Sequence, residues 1–363
     1  MPDPVLHSPN GRRRARALGL PLPGRTGPLN AITDVAGVSV GMTTLIDDAR
    51  FIRTGVTAVL PRPRDKLLNP VWAGLFSMNG NGEMTGSHWI KEAGLLTAPI
   101  TITNTLSLGR AHHGTIRWMI EKYRSVGPDL WLLPVAAETY DGWLNDIAGL
   151  HVTEEHAMAA IEAAKGGPVA EGNVGGGTGM IAYEFKGGTG TASRLVTIDG
   201  KTYTVGTLVQ ANHGRRPWLT VCGVPVGAAM PEGAWRKTET GSIITITATD
   251  APLMPNQLER LAKRAAIGIG RMGTPSSNSS GDIFLAFSTA NDPGPLPEPP
   301  VHTISALSSD ALDGLFMAVV ETVDEAILNS MLAATTMTGP HGRIVHAIDP
   351  DALTATVNAA RRS

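Results

Sequence analysis

The run Ile243-Ile244-Thr245-Ile246-Thr247-Ala248-Thr249 carries six β-branched residues in seven and no charge. Such side chains are stiff about χ1 and pack best on a pleated surface, so the run predicts a buried strand. Gly241-Ser242 stands immediately before it. Glycine adopts backbone angles that other residues avoid, and the pair reads as a tight turn into the strand. It also reads as a bond that the chain itself cuts, leaving Ser242 as a new N-terminus. These residues alone leave both readings open.

The rest of the chain limits what such a strand can belong to. Of 363 residues, 42% are apolar and 17% charged, enough for a sizeable core in one large domain or two ordinary ones. The formal charge is -2, and no basic block marks a nucleic-acid footprint. Arg12, Arg13, Arg14 and Arg16 form a dense positive cluster in a Pro- and Gly-rich stretch over 1–30, where a solvated arm is expected. The 42 glycines and 26 prolines are dispersed, which implies tight turns between short strands rather than a disordered tract. Cys222 is the single cysteine, so no intrachain disulfide forms, and its VCGVPVG context predicts a small buried hydrophobe. No apolar stretch approaches a membrane span, and the N-terminal residues lack the apolar segment of a signal peptide. A soluble, cytoplasmic protein with neither membrane nor nucleic-acid partner is expected.

Short β-type runs alternate with glycine turns at 35–41 and 55–61. Ile116, Met119, Ile120 and Tyr123 predict one face of a helix over about 110–124. A second helix is predicted from Thr153, spaced by His156, Ala160, Ile161 and Ala164 and stopped by Gly166-Gly167. Strands are predicted over 190–210 and in DIFLAFST after Asp282. Asn256 is the expected cap of a helix burying Leu258, Leu261, Ala262 and Ala265. The clearest helical spacing runs over 309–333, and Asp349-Pro350 opens a last helix. Clustered strands separated from clustered helices predict layered α+β architecture. The absence of a Pro/Gly linker in the middle predicts a single catalytic domain over 31–363.

Several familiar chemistries lack their patterns. EGNVGGGTGM at 171–180 has neither GxxxxGK[ST] nor GxGxxG spacing, so a close backbone approach is expected there rather than a phosphate site. MNGNGEMTG at 78–86 carries hairpin-type Asn-Gly steps, with Glu83 as its ionisable group. The histidines form no HExxH pattern, and no GxSxG elbow is present. No metal or organic cofactor is expected.

An N-terminal serine needs neither. Its own α-amine has an unperturbed pKa of about 7.7–8.0, suited to taking and returning the hydroxyl proton. Gly241 would leave its carbonyl open to attack by that hydroxyl. Polar groups recur at other predicted strand ends: Glu138, Tyr140 and Asp141 in ETYDGWLND, Asn212 in QANHG, and Ser280 and Asp282 in NSSGDIFLAF. Element ends are where functional groups often sit, although each residue alone also reads as a cap or turn residue.

The sequence resembles the self-processing L-aminopeptidase/D-esterase (D-aminopeptidase A) and β-peptidyl aminopeptidase family. The resemblance runs through ITDVAGVSVG (32–41), MNGNGEMTGSHWI (78–90), ITNTLSLG (102–109), ETYDGWLND, EGNVGGGTGM and VQANHG (209–214). It ends in TGSIITITATDAPL (240–253) and SSGDIFLAFSTAN (279–291). It implies a four-layer α-β-β-α sandwich of N-terminal-nucleophile type with its own connectivity. It implies a cut between Gly241 and Ser242 into parts 1–241 and 242–363 that stay associated, assembled as a homotetramer. It further implies Ser242 as nucleophile, Asn212 and Tyr140 as oxyanion donors, and Ser280 as a support for the nucleophile. Asp282 matches an acidic position that is Glu in some β-peptide-cleaving members, and the shorter side chain argues against β-peptides. Glu138 matches a binding position for the substrate amine, with Asp282 second. Substrates would be short peptides, amides or esters with a free amine and a small first residue.

Two alternatives remain at this stage. One is an ornithine acetyltransferase-like acyl transferase, disfavoured by Ser rather than Thr at the cut. The other is an unprocessed homologue that binds small amines without catalysis.

Overall fold

The computed structural model describes residues 3–294, 301 and 303–362. Met1 and Pro2 of the expected arm, and Ser363 at the end of the expected domain, lie outside the described residues.

The Ile243–Thr249 run forms, with Ser242, the strand Ser242–Thr249, and every residue of it is buried. It lies inside a six-stranded sheet. Lys201–Asn212 pairs antiparallel on one side and Ile283–Ser288 parallel on the other, with Val71–Ser77 beyond the latter and Gly188–Ile198 beyond the former. Alternation along the strand splits its side chains between two cores. Ile244, Ile246 and Ala248 enter an apolar cluster shared with Ile100, Ile102, Val135 and Ala137 of a second, four-stranded sheet. The threonines face the other way, where Thr249 donates to the Thr204 carbonyl at 2.8 Å and the Thr245 hydroxyl has no partner among the described residues. Thr247 meets Thr207, which in turn meets Thr322 of the helix Asp313–Leu332 at 2.8 Å.

That helix, with Pro255–Lys263 and Ala265–Arg271, covers the outer face of the large sheet. Leu108–Lys122 and Glu154–Glu162 cover the outer face of the small one. The result is the four-layer α-β-β-α sandwich. Among the described residues no helix is long and apolar enough to cross a membrane.

Gln210, on the inter-sheet face of its strand, donates to the Thr103 carbonyl (3.0 Å) and Thr139 hydroxyl (2.8 Å) of the small sheet. The glycines of 171–180 make the expected close approach. A Cβ on Gly176 would collide with Gln210 and lie 2.6 Å from the Ile102 carbonyl.

Several expectations need correction. Arg12 and Arg13 are exposed as expected, but Arg14 and Arg16 are not part of a solvated tail. Arg14 is buried and pairs with Glu171 at 2.9 Å, Arg16 pairs with Glu325 at 3.0 Å, and Ala15 and Leu18 enter the core between them. Met119 of the predicted face is buried, but Ile120 is exposed, and the helix buries Ala111, Gly114, Thr115 and Trp118 beside Met119. Small residues on that face let the helix lie close to its neighbour, which a stripe read from large apolar residues misses. Asn256 sits inside its helix, whose cap position is Met254, while all four predicted apolar residues are buried. Cys222 is only half-buried. Asp349 does cap the last helix, accepting from the amides of Asp351 and Ala352.

Candidate active site

Ser242 opens its strand and stands opposite Asn212, the last residue of Lys201–Asn212. By alternation Ser242 and Asn212 share the inter-sheet face of Ile244 and Leu208. The Ser242 hydroxyl accepts from the Gly281 amide at 2.9 Å. Asn212 is held at both ends of its carboxamide: Oδ1 accepts from the Ile181 amide and Nδ2 donates to the Tyr140 carbonyl, both at 2.9 Å. That geometry leaves the second Nδ2 hydrogen for another acceptor.

Behind the serine lies a polar relay. Asp282 Oδ1 accepts from the Ile243 amide at 3.0 Å, and Oδ2 accepts from Ser280 at 2.9 Å and from Ser276. Asn79 Nδ2 donates to Ser280 Oγ at 2.9 Å. Burial pushes the Asp282 carboxyl above the usual carboxylate range, against the pull of these donors. Asp282 therefore holds the amide that follows Ser242, and Ser280 braces the Asp282 carboxylate. Neither lines the cavity in front of Ser242.

That cavity, of about 340 Å³, is lined by Ser242, Tyr140, Glu138, Glu83, Thr105 and Thr240 among others. Glu138, near the end of Val135–Thr139, accepts from the Glu83 amide at 3.0 Å and from the Thr105 hydroxyl. Burial raises its pKa, and the Glu83 carboxylate adds to the rise against the pull of these two donors. Tyr140 is half exposed, at 50%. The Tyr140 hydroxyl makes no hydrogen bond among the described residues, and Tyr140 lines the cavity.

Ser242, Asn212, Tyr140, Glu138, Ser280 and Asp282 thus converge from four chain segments. Asp282 is not among the residues that line the cavity. The second carboxylate there is Glu83. Sequence reasoning also missed the Gly281 amide and the Thr105 hydroxyl. Both sit in stretches already quoted, but a backbone donor and a lone hydroxyl carry no signature of their own.

The ladder with Lys201–Asn212 stops at Asn212 opposite Ser242, but the backbone before Ser242 still runs hard against that strand's end. A Cβ on Gly241 would collide with the Asn212 carbonyl and lie 2.9 Å from His213 Cα. Glu239 anchors the approach, accepting from the Gly214 amide, Thr274 and Ser277, while its carbonyl accepts from Ser279 at 2.7 Å. His213 packs edge-on against Tyr183, and neither ring nitrogen has a partner among the described residues. Burial pushes its pKa down to about 4.

Peptidase family S58 matches residues 30–345. The chain is 48% identical to the β-peptidyl aminopeptidase BapA of Sphingosinicella microcystinivorans, across 96% of this chain and 93% of that protein. It is 45% identical to the enzyme of the same name from Sphingosinicella xenopeptidilytica, across 95% and 91%. Among solved structures it superposes on the L-aminopeptidase D-Ala-esterase/amidase of Ochrobactrum anthropi, described as a prototype for the serine aminopeptidases and a new variant of the Ntn hydrolase fold. The TM-score is 0.92, with 51% identity over 96% of this chain and 99% of that one. A β-aminopeptidase from Burkholderia sp. gives 0.89 with 44% identity over 95% and 98%.

Proposed function

The chain belongs to peptidase family S58, the self-processing serine aminopeptidases with amidase and esterase activity, and from that premise we propose how its residues divide the work. The observation that carries the reading is Ser242 at the first position of a buried strand, opposite Asn212 and facing a cavity that holds Glu138.

In the first reaction the Ser242 hydroxyl attacks the Gly241 carbonyl. The acyl group moves from nitrogen to oxygen, and water then cuts the ester. The products are a Gly241 carboxylate and a Ser242 amine, on parts 1–241 and 242–363. In turnover that amine takes the hydroxyl proton as the oxygen attacks the substrate's first carbonyl. Asn212 Nδ2 and the Tyr140 hydroxyl donate to the developing oxyanion, where stabilisation matters most in acyl transfer. The Gly281 amide orients the hydroxyl oxygen. The Ser242 ammonium gives its proton to the leaving amine, and water hydrolyses the acyl-enzyme. Ser280 and Asp282 keep the strand end in register.

Glu138 takes the substrate's ammonium, and Glu83 adds negative potential beside it. Substrates are short peptides, amides or esters with an unblocked first residue. Relatives named as β-peptidyl aminopeptidases and as an L-aminopeptidase D-Ala-esterase/amidase are similarly close, so small α- and β-residues are both in range. The processed chain assembles as a homotetramer and works in the cytoplasm, which a single cysteine suits.

A matched pair of alanine p-nitroanilides, free and N-acetylated, tests the substrate class. The free amine should be favoured strongly in kcat/KM, and Glu138→Gln should raise its KM. Equal kcat/KM for the two would reduce the enzyme to a general amidase.

A further inference from the structure

A second cavity, also about 340 Å³, lies beside the first and shares Ser279 with it. Its charge is opposite. The nucleophile cavity is lined by Glu83 and Glu138 with no cation among its lining residues. The second is lined by Arg215, Lys237 and Trp218, with Glu239 as its carboxylate. Glu239 is buried and already engaged by Gly214, Thr274 and Ser277. Arg215 spends its Nε on the Arg236 carbonyl at 3.2 Å and rests over the Trp218 ring. Among the described residues its terminal nitrogens make no hydrogen bond, Lys237 is exposed without a partner, and neither cation forms an ion pair.

The chain itself gives the direction. Thr240 lines the first cavity, and Lys237, Thr238 and Glu239 line the second. The segment leading back from the Ser242 nitrogen therefore runs from one to the other. In turnover that nitrogen delivers the proton to the leaving amine, so the leaving group departs on this side. The walls stay when the chain is cut. Trp235 and Arg236 are tied by their amides to Glu184, and Glu239 is tied by carboxylate and carbonyl, so the chain on both sides of Lys237 has anchors independent of the Gly241–Ser242 bond.

Resting on the aminopeptidase reading above, we propose that the Arg215–Lys237 cavity is the leaving-group subsite and binds the free C-terminal carboxylate of a short peptide. A zwitterionic dipeptide or tripeptide then lies along the gradient, ammonium at Glu138 and carboxylate at Arg215 and Lys237. Each residue adds roughly 3.3–3.6 Å, so only short peptides place both charges at once.

The test compares an alanyl dipeptide with its C-terminal amide on the processed enzyme. The alanine enantiomer is chosen beforehand with alanine p-nitroanilide. In wild type the free acid should be favoured roughly three- to tenfold in kcat/KM, mainly through KM, as expected for partly exposed charge pairs. The preference should shrink in molar salt. It should fall toward one in Lys237→Gln, which has no hydrogen bond to lose, and in the Arg215→Gln/Lys237→Gln double variant. A ratio near one in wild type, or an unchanged ratio in the double variant, overturns the subsite. Cleavage of the p-nitroanilide but of neither dipeptide overturns it while leaving the aminopeptidase reading intact. Failure on every free-amine substrate removes that reading, and the subsite with it.

Discussion

Asn212 is fixed by two hydrogen bonds that leave one Nδ2 hydrogen unused. In the proposed mechanism that hydrogen meets the oxyanion. Asn212→Ala, once processed, should lose on the order of 2.7–4 kcal/mol of transition-state stabilisation, seen as a fall in kcat of roughly a hundred- to a thousandfold. A processed variant with near wild-type kcat would make Asn212 structural. Glu138 predicts a pH dependence. Burial holds its pKa above the ordinary value, so it is neutral over a wider acidic range and charged only above its raised pKa. KM for free-amine substrates should therefore rise as pH falls, starting from a higher pH than an unperturbed carboxylate would give. Glu138→Gln should remove that limb, and an identical profile in the variant would assign it elsewhere. At this scale the side chains with distinctive chemistry were legible in sequence. Gly281 and Thr105 were not, because an amide or hydroxyl becomes a site only through its position. Asp282 was legible as acidic but not as standing outside the cavity lining.

The decisive element is the junction of the buried strand with the segment before it. Position 241 runs against Asn212 and His213 so closely that a Cβ has no room. Gly241→Ala forces the scissile carbonyl away from the Ser242 hydroxyl. Overpacking of this kind costs about 1–3 kcal/mol, so self-cleavage should slow by roughly 5- to 160-fold, followed by the appearance of the smaller chain over time. Unchanged cleavage would mean that the junction relaxes freely. The strand itself was legible because β-branched density carries its signal locally. The helix Leu108–Lys122 was legible as a helix, but its buried face was misread. Periodicity weights large apolar residues, whereas Ala111 and Gly114 face the neighbouring helix Glu154–Glu162, where a Cβ on Gly114 would meet the Glu154 carbonyl at 2.6 Å. The N-terminal arm was misread for a related reason: Arg14 and Arg16 look solvated until Glu171 and Glu325 arrive from distant segments.

Across the whole molecule the two expected parts are interleaved. Ser242–Thr249 and Ile283–Ser288 lie between Val71–Ser77 and Lys201–Asn212 in one sheet. Glu325, from the second part, is buried and reached by Arg16, Arg194 and Asn30 from the first. Burial opposes its ionisation, yet Arg194 and Arg16 outweigh that and hold its pKa below the ordinary value. Glu325→Ala leaves Arg194 with Glu321 as its remaining partner and takes from the partly buried Arg16 its ion pair, and should destabilise the processed protein by about 3–5 kcal/mol in chemical denaturation. A loss below 1 kcal/mol would show the network to be replaceable. The parts should co-migrate after cleavage and separate only in denaturant. The central claim, that the chain makes its own nucleophile, is tested by the intact mass of purified protein with N-terminal sequencing. Wild type should give two polypeptides, the smaller beginning Ser242-Ile243-Ile244, and Ser242→Ala should give one. Wild type that stays whole while hydrolysing substrate would contradict the account.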